Sequence, residues 1–319
     1  MKRGLVLPPA IMLLGPTASG KTALAMELAD AFANEFPVEI ISVDSAQVFI
    51  DMNIGTAKPD AATQRRYPHR LINLVTPEER YSAARFRDDA LAAMADITTR
   101  GRIPLLVGGT MFYFKALRDG LAELPEADAD IRAAIDAEAA VKGWPALHAA
   151  LAQHDPETAA RLKPTDAQRI QRALEVVRLS GKTLGHFFEQ QQVAPIPYRT
   201  LSFGLAPADR AWLHQRIAQR FDQMLDEGLI DEVRALRRKY RLDAGFPSMR
   251  CVGYRQAWEM IEGRLPVEEL RDRGIYATRQ LAKRQLTWLN GWRNIALMDC
   301  QNAALAATIR TAVDKFLNS

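Results

Sequence analysis

Four residues near the start of the chain, Gly15, Gly20, Lys21 and Thr22, satisfy the spacing G-x-x-x-x-G-K-[ST] within AIMLLGPTASGKTALA, residues 10–25. These residue types at this spacing serve one kind of chemistry. The glycines let backbone N–H groups turn inward around a phosphate, Lys21 supplies a point charge, and the Thr22 hydroxyl reaches a magnesium ion. A second candidate is Asp44, 23 residues after Lys21 in DSAQVF. A carboxylate there can order a metal, act as a general base, or merely cap a strand end, because Asp-Ser commonly opens a turn or helix. MNIGTAKP at residues 52–59 adds a glycine turn, a hydroxyl and a lysine, and YPHRLIN supplies His69 and Arg70. Taken alone, each of these reads as a structural loop or solvated surface.

Such groups act together only if the chain positions them. Residues 11–14 form a short apolar run that reads as a buried strand, and residues 23–32 follow with helical character. A helix N-terminus behind the loop adds partial positive charge. VEIISVD, residues 38–44, is a second strand ending in Asp44, and IPLLVGGT, residues 103–110, is a third ending in a glycine turn. Between them residues 82–100 are helical, with Phe86, Ala90, Met94 and Ile97 at helical spacing. This alternation predicts an α/β fold, a P-loop NTPase-like parallel sheet covered by helices on both faces. Ligands gather at the carboxyl ends of such strands, so the phosphate loop, Asp44 and Gly108-Gly109-Thr110 converge on one crevice.

From about residue 121 strand signals vanish. Helical segments follow at 128–141, 145–153, 166–180 and 183–191. In the third, Thr165 or Asp166 is the N-cap and Gly181 sits at the C-terminal cap. Ile170, Leu174 and Val177 share one face, while Gln168, Arg169, Arg172 and Arg178 occupy the other. The pattern is an all-helical domain, residues 122–192, inserted in a core made of residues 1–121 and 193–319. VAPIPY, residues 193–198, is the return linker, and RTLSFGLAP resumes the sheet. Residues 210–225 then form an amphipathic helix with Leu213, Ile217, Phe221 and Met224 inward.

The chain has 319 residues, 48% hydrophobic and 25% charged, a globular composition long enough for about two domains. Its formal net charge of +4 permits an acidic partner without demanding one. Cys251 and Cys300 make neither a disulfide framework nor a metal cluster, which points to a reducing compartment. The start MKRGLVLPPAIMLLG imitates a signal peptide, but Pro8-Pro9 interrupts it and no small-residue cleavage site follows. No run of 18 apolar residues occurs, so the expectation is a cytoplasmic protein with no membrane partner.

The C-terminal third has a different character. PSMRCVGYRQAW and RDRGIYATRQLAKRQLTWLNGWR interleave basic residues with Tyr254, Trp258, Tyr276, Trp288 and Trp292. From Arg271 to Arg293 six basic residues face a single acid, Asp272. That composition suits a phosphate-backbone surface with stacking groups, or else an amphipathic helix with aromatic core positions and solvated charges. By contrast residues 122–155 hold seven acids and two bases, so half of the inserted domain is a poor backbone binder.

Eight motifs stand in order along the chain: GPTASGKT, DSAQVF…MNIGTAKP, YPHRLI, YSAARFR, LLVGGTMFYFKAL, RIQRALEV…SGK, RCVGYRQAW and ATRQLAKRQLTWL. Together they resemble the bacterial tRNA dimethylallyltransferases from about residue 10 to residue 293, with no departure at the motif positions. The resemblance implies that residues 15–22 (Gly15, Pro16, Thr17, Ala18, Ser19, Gly20, Lys21 and Thr22) hold the diphosphate of dimethylallyl diphosphate. Diphosphate leaves, and the acceptor is N6 of the adenosine 3′ of the anticodon. Lys21, Mg²⁺ on Thr22 (with Asp44 through water) and Arg220 then stabilise the leaving group, and Asp44 takes or holds the amine proton. The adenosine must leave its stack to react, so Asp44, Ser45, Ala46, Gln47 and Thr110 line its channel.

The tRNA-contacting segments implied are Gln168, Arg169, Ile170, Gln171 and Arg172 on the inserted domain, and Arg250, Cys251, Val252, Gly253, Tyr254 and Arg255. The segment around Arg279, Gln280, Lys283, Arg284 and Thr287 completes them. The inserted helices grip the anticodon stem-loop, and a monomer suffices. Two rivals share the fold: a P-loop kinase of a small metabolite, and an isoprenyl transferase acting on free adenine nucleotide. A third, from another class, is a non-catalytic RNA-binding P-loop protein.

Overall fold

The computed structural model describes residues 7–191 and 195–319. Val193 and Ala194 of the expected return linker lie outside the described residues. The chain opens with β1 (Pro9–Leu14), α1 (Lys21–Ala31), β2 (Val38–Val43), α2 (Ala61–Arg66) and β3 (His69–Arg70). There follow α3 (Ala83–Thr99), β4 (Ile103–Gly108) and α4 (Met111–Asp119). Five helices come next: α5 (Ala129–Lys142), α6 (Trp144–His154), α7 (Pro156–Arg161), α8 (Ala167–Ser180) and α9 (Leu184–Glu189). The chain then continues through β5 (Arg199–Ala206), α10 (Arg210–Asp226), α11 (Leu229–Lys239), α12 (Tyr254–Ile261) and α13 (Val267–Asn290). It closes with β6 (Ala296–Asp299) and α14 (Leu305–Leu317). Packing divides it into two compact units, Met1–Arg118 with Ile196–Ser319, and Asp119–Pro195.

The first unit is built on a six-stranded sheet in the order β3-β2-β4-β1-β5-β6, parallel throughout. Strand β1 reads as an unbroken apolar run because both of its faces are covered. Met12 and Leu14 pack with Phe86, Met94 and Phe114 on one side. Ile11 and Leu13 pack with Leu24, Leu28, Ile309 and Val313 on the other. Register aligns the strand ends: Leu14 pairs with Gly108, and Gly108 pairs with Val43. The loops after β1, β2 and β4 therefore leave the sheet at one level.

Helices α10 to α13 build a second apolar cluster in the same unit, around Leu213, Phe221, Tyr254 and Trp258. Within it Gly274 of α13 faces the Phe221 ring so closely that any Cβ would overlap the ring. Glycine at that position sets how near α13 lies to α10.

The helical unit has its own core of Ile135, Leu147, Leu151, Ile170 and Leu174. Val177, expected inward, is only half-buried, and Ala173 and Val176 are buried instead. The buried Glu175 carboxylate accepts from Arg132, Arg172 and the Asp128 amide.

Four short elements depart from the expectations. YPHRLIN supplies β3, two residues whose length carries no alternation, yet they extend the sheet beside β2. Helix α2 begins after Asp60, whose side chain accepts from Thr63 N–H. Helix α7 starts at Pro156 behind Asp155, which caps the Thr158 amide; six residues are too few to display a period. Strand β6 is mostly exposed, and its mixed composition hides it in the sequence.

Candidate active site

The loop between β1 and α1 turns back through Gly20, whose φ of 92° lies in the left-handed region open to glycine. Ala18 is also left-handed, at φ 63°, and the Arg216 guanidinium Nε donates to its carbonyl at 2.8 Å. Ser19 is turned inward, its hydroxyl donating to the Pro16 carbonyl. Lys21 Nζ donates to that same carbonyl. Thr17, Ala18, Lys21 and Thr22 line a cleft of about 420 Å³. Gly15, Pro16, Ser19 and Gly20 give the turn its shape and contribute no lining.

The facing wall comes from the loop after β2. Asp44 Oδ1 accepts from the Ala46 and Gln47 amides at 2.8 and 3.3 Å. One carboxylate oxygen is thus a turn cap, and among the described residues Oδ2 accepts no hydrogen bond. Gln47 braces this wall, accepting from the Ser42 hydroxyl and donating to the Thr56 carbonyl. The Thr110 hydroxyl oxygen, just after β4, accepts from the Ser45 amide at 3.0 Å. Asp44, Ala46 and Gln47 line the cleft directly, while Ser45 and Thr110 hold its rim.

Arg220 reaches the same cleft from α10. Its charged form is disfavoured chiefly by burial, with Arg216 adding repulsion and Asp44 opposing both. Lys21 behaves alike. Burial first, then Arg220, bring its pKa down to about 7 against the pull of Asp44. Two partly buried cations on one cleft form a site suited to an anion of more than one charge. Met26, Ile217, Phe221, Met224, Val252 and Leu281 give the lining an apolar part, beside the polar Ser42, Thr56, Thr63, Thr278 and Gln285. Cys251 also lines it, and burial pushes its thiol up to about 12, so it is no nucleophile at neutral pH.

MNIGTAKP is a braced loop whose Gly55, Thr56, Ala57 and Pro59 line the cleft. Lys58 Nζ donates to the Phe49 carbonyl and to Asn73 Oδ1, and burial lowers its pKa to about 8. The Asn53, Ile54 and Gly55 amides all donate to the Glu232 carboxylate, as does the Tyr254 hydroxyl.

The implied RNA-contacting residues divide. On the helical unit Gln168 and Arg169 are exposed. Gln171 is engaged with Asp136, and Arg172 with Glu175 and the Pro125 carbonyl. Ile170 is a correction: it is wholly buried in that unit's core, where no RNA reaches it. Around α12, Arg250 and Arg255 are exposed, the latter paired with Glu259. Tyr254 and Gly253 are corrections too, since both are buried and Tyr254 is spent on Glu232. On α13, Arg279 and Gln280 are half-buried, whereas Lys283, Arg284 and Thr287 are exposed. The aromatics divide similarly. Trp258 is core and Trp292 packs against Phe114 and Arg118, but Tyr276 and Trp288 stand 62% and 42% exposed.

Two contributors escaped sequence reasoning. Arg216 secures the strained Ala18 carbonyl, and Gln285 bonds both the phosphate loop and the turn after β4. Arg216 lies one helical turn before Arg220 on α10, and that spacing was its one signal.

Among the described residues no group of three or more His, Cys, Asp or Glu is placed to hold a metal, and no helix is long and apolar enough to cross a membrane. The family model described as IPP transferase matches residues 47–292. A protein of Dechloromonas aromatica named tRNA dimethylallyltransferase is 63% identical over 313 residues, covering 98% of each chain. One of the same name from Aromatoleum aromaticum is 59% identical, with 97% of each covered. The crystal structure of the full-length tRNA isopentenylpyrophosphate transferase from Bacillus halodurans superposes with a TM-score of 0.70 at 34% identity, covering 98% of this chain and 97% of that one. A eukaryotic dimethylallyltransferase acting on tRNA gives a TM-score of 0.79 at 26% identity, covering 98% and 80%.

Proposed function

This chain belongs to the IPP transferase family, and from that premise we propose that it transfers the dimethylallyl group of dimethylallyl diphosphate to N6 of the adenosine 3′ of the anticodon in tRNA. The observation that carries the reading is a single cleft in which two half-buried cations, Lys21 and Arg220, adjoin apolar side chains and face Asp44. The apolar side chains beside the phosphate loop suit a short prenyl chain.

The chemistry follows from those groups. The allylic C1–O bond breaks as the N6–C1 bond forms, and diphosphate departs with the negative charge that develops on it. Loop amides, Lys21 and Arg220 stabilise that charge where water is excluded. As N6 becomes cationic it loses a proton, and Asp44 Oδ2, the oxygen not committed to the turn, accepts it. Thr22 and Asp44 are the residues that would hold Mg²⁺. A donor set this sparse fits an ion that retains its waters and takes phosphate oxygens. When bound, that ion supplies further neutralisation of the diphosphate. Exposed Lys283, Arg284, Tyr276 and Trp288 support α13 as an RNA surface. The cleft lies within one chain, which supports action as a monomer, and a tRNA substrate supports a cytoplasmic enzyme.

The test combines the protein with Mg²⁺, radiolabelled dimethylallyl diphosphate and an anticodon stem-loop RNA bearing adenosine 3′ of the anticodon. Label on N6 of that adenosine, lost when it alone is replaced, is the expected result. Label on free AMP but not on RNA refutes the acceptor. ATP consumption without either label refutes the reaction.

A further inference from the structure

Gln285 stands at the centre of the cleft without being chemically reactive. It belongs to α13, the helix whose outer side carries the exposed Lys283, Arg284, Thr287 and Trp288. Its Oε1 accepts from the Thr17 amide of the phosphate loop at 2.9 Å. Its Nε2 donates to the Gly109 carbonyl at 2.9 Å. A Cβ on Gly109 would collide with that same Nε2, so the glycine makes room for the amide. Gly109 adjoins Thr110, whose hydroxyl holds the Ser45 amide and with it the turn that Asp44 caps.

One planar amide therefore spans the two halves of the site, the loop that holds the leaving group and the wall that presents the base. It also takes the Thr17 N–H out of the set of amides free to cradle a phosphate. We propose that Gln285 is a positioning residue, one that fixes the separation between the donor's diphosphate and the Asp44 wall. The proposal rests on the transfer reaction inferred above. An amide fits both ends whatever the pH, since Thr17 requires an acceptor and Gly109 requires a donor. Misplacement of reacting groups by about 1 Å can lower a rate by about 100-fold, so the effect belongs in kcat.

The experiment compares Gln285→Leu and Gln285→Glu with the unaltered protein, by single-turnover transfer at saturating donor and RNA. Filter binding of the stem-loop is run alongside. Gln285→Leu should lower the transfer rate by about 10- to 100-fold, with stem-loop affinity and donor KM changed by no more than about threefold. Gln285→Glu keeps the acceptor for Thr17 but sets a carboxylate against the Gly109 carbonyl. Protonation restores a donor there, so its rate relative to the unaltered protein should climb as pH falls from 8 to 6, while the ratio for Gln285→Leu stays level. A residue that merely supported folding would show no such divergence. Parallel pH ratios for the two variants, or a Gln285→Leu rate within twofold of the unaltered protein, overturn the proposal. Absence of transfer by the unaltered protein would instead overturn the reaction on which it rests.

Discussion

Lys21 lends itself to a quantitative test, because its charge in the free protein depends on pH within the working range. Burial and Arg220 hold its pKa at about 7. A bound diphosphate reverses that balance by supplying the missing counter-charge, and it moves the pKa back toward the ordinary lysine range. At pH 8 only about 10% of the free protein carries the charge, so binding should draw in about 0.9 proton. At pH 6 about 90% is already charged and Lys21 adds about 0.1. The sign follows from the order of the two values. Protons enter wherever pH lies above the free pKa and below the bound one, and donor affinity should weaken by up to about tenfold per pH unit above 7.

The assay is titration calorimetry with an unreactive thio analogue of the donor, in buffers of differing ionisation enthalpy. The slope of observed heat against buffer enthalpy counts protons. Phosphate ionises near 6 and is fully charged at pH 8, so the uptake there reports the protein. Arg220→Gln supplies the structural control, since removing its repulsion raises the free Lys21 pKa and shrinks the uptake at pH 8. An uptake below about 0.2 proton at pH 8, with affinity level from pH 7 to 9, would refute the placement of Lys21 as a desolvated diphosphate ligand.

Three further outcomes are expected from the same geometry. Asp44→Asn keeps an acceptor for the Ala46 amide but no base, so single-turnover transfer should fall about 10²- to 10⁴-fold with stem-loop binding retained; a loss within about threefold would remove the base from the mechanism. Gly274→Ala forces a methyl into the Phe221 ring and should destabilise by about 1–3 kcal/mol, read as a lowered midpoint of urea unfolding; an unchanged midpoint would show that α10 and α13 yield freely. Lys283→Ala and Arg284→Ala should each reduce the slope of log affinity against log salt by about 0.7–1 for the stem-loop; unchanged slopes would return both residues to plain solvated surface.

How far the sequence reveals such a site depends on the range over which each signal acts. The phosphate loop is legible because strand, glycine spacing and helix start are consecutive, and β1 through α1 require nothing from elsewhere. Asp44 is legible by the same token at the end of β2, though not its division into a committed and an uncommitted oxygen. Gln285 is not, since its partners lie 268 and 176 residues away and glutamine on an amphipathic helix carries no local mark. Tyr254 misled for the opposite reason. It sits among arginines in sequence, and only tertiary contact with Glu232 withdraws it from the surface. The family resemblance offered whole segments as RNA contacts, but a helix segment necessarily includes inward positions, of which Ile170 is one.

The pairing of Glu232 with the Asn53, Ile54 and Gly55 amides has a consequence for diphosphate binding. Three successive N–H groups converging on one carboxylate, two on Oε2 and one on Oε1, form an anion receptor of the kind that binds phosphate. Here the chain has filled that receptor with its own carboxylate, in the stretch of sequence that follows the glycine loop at residues 15–22. Released diphosphate is thus denied a second port beside the first. Added diphosphate should therefore bind with a stoichiometry of one, because the neighbouring nest is already occupied from within.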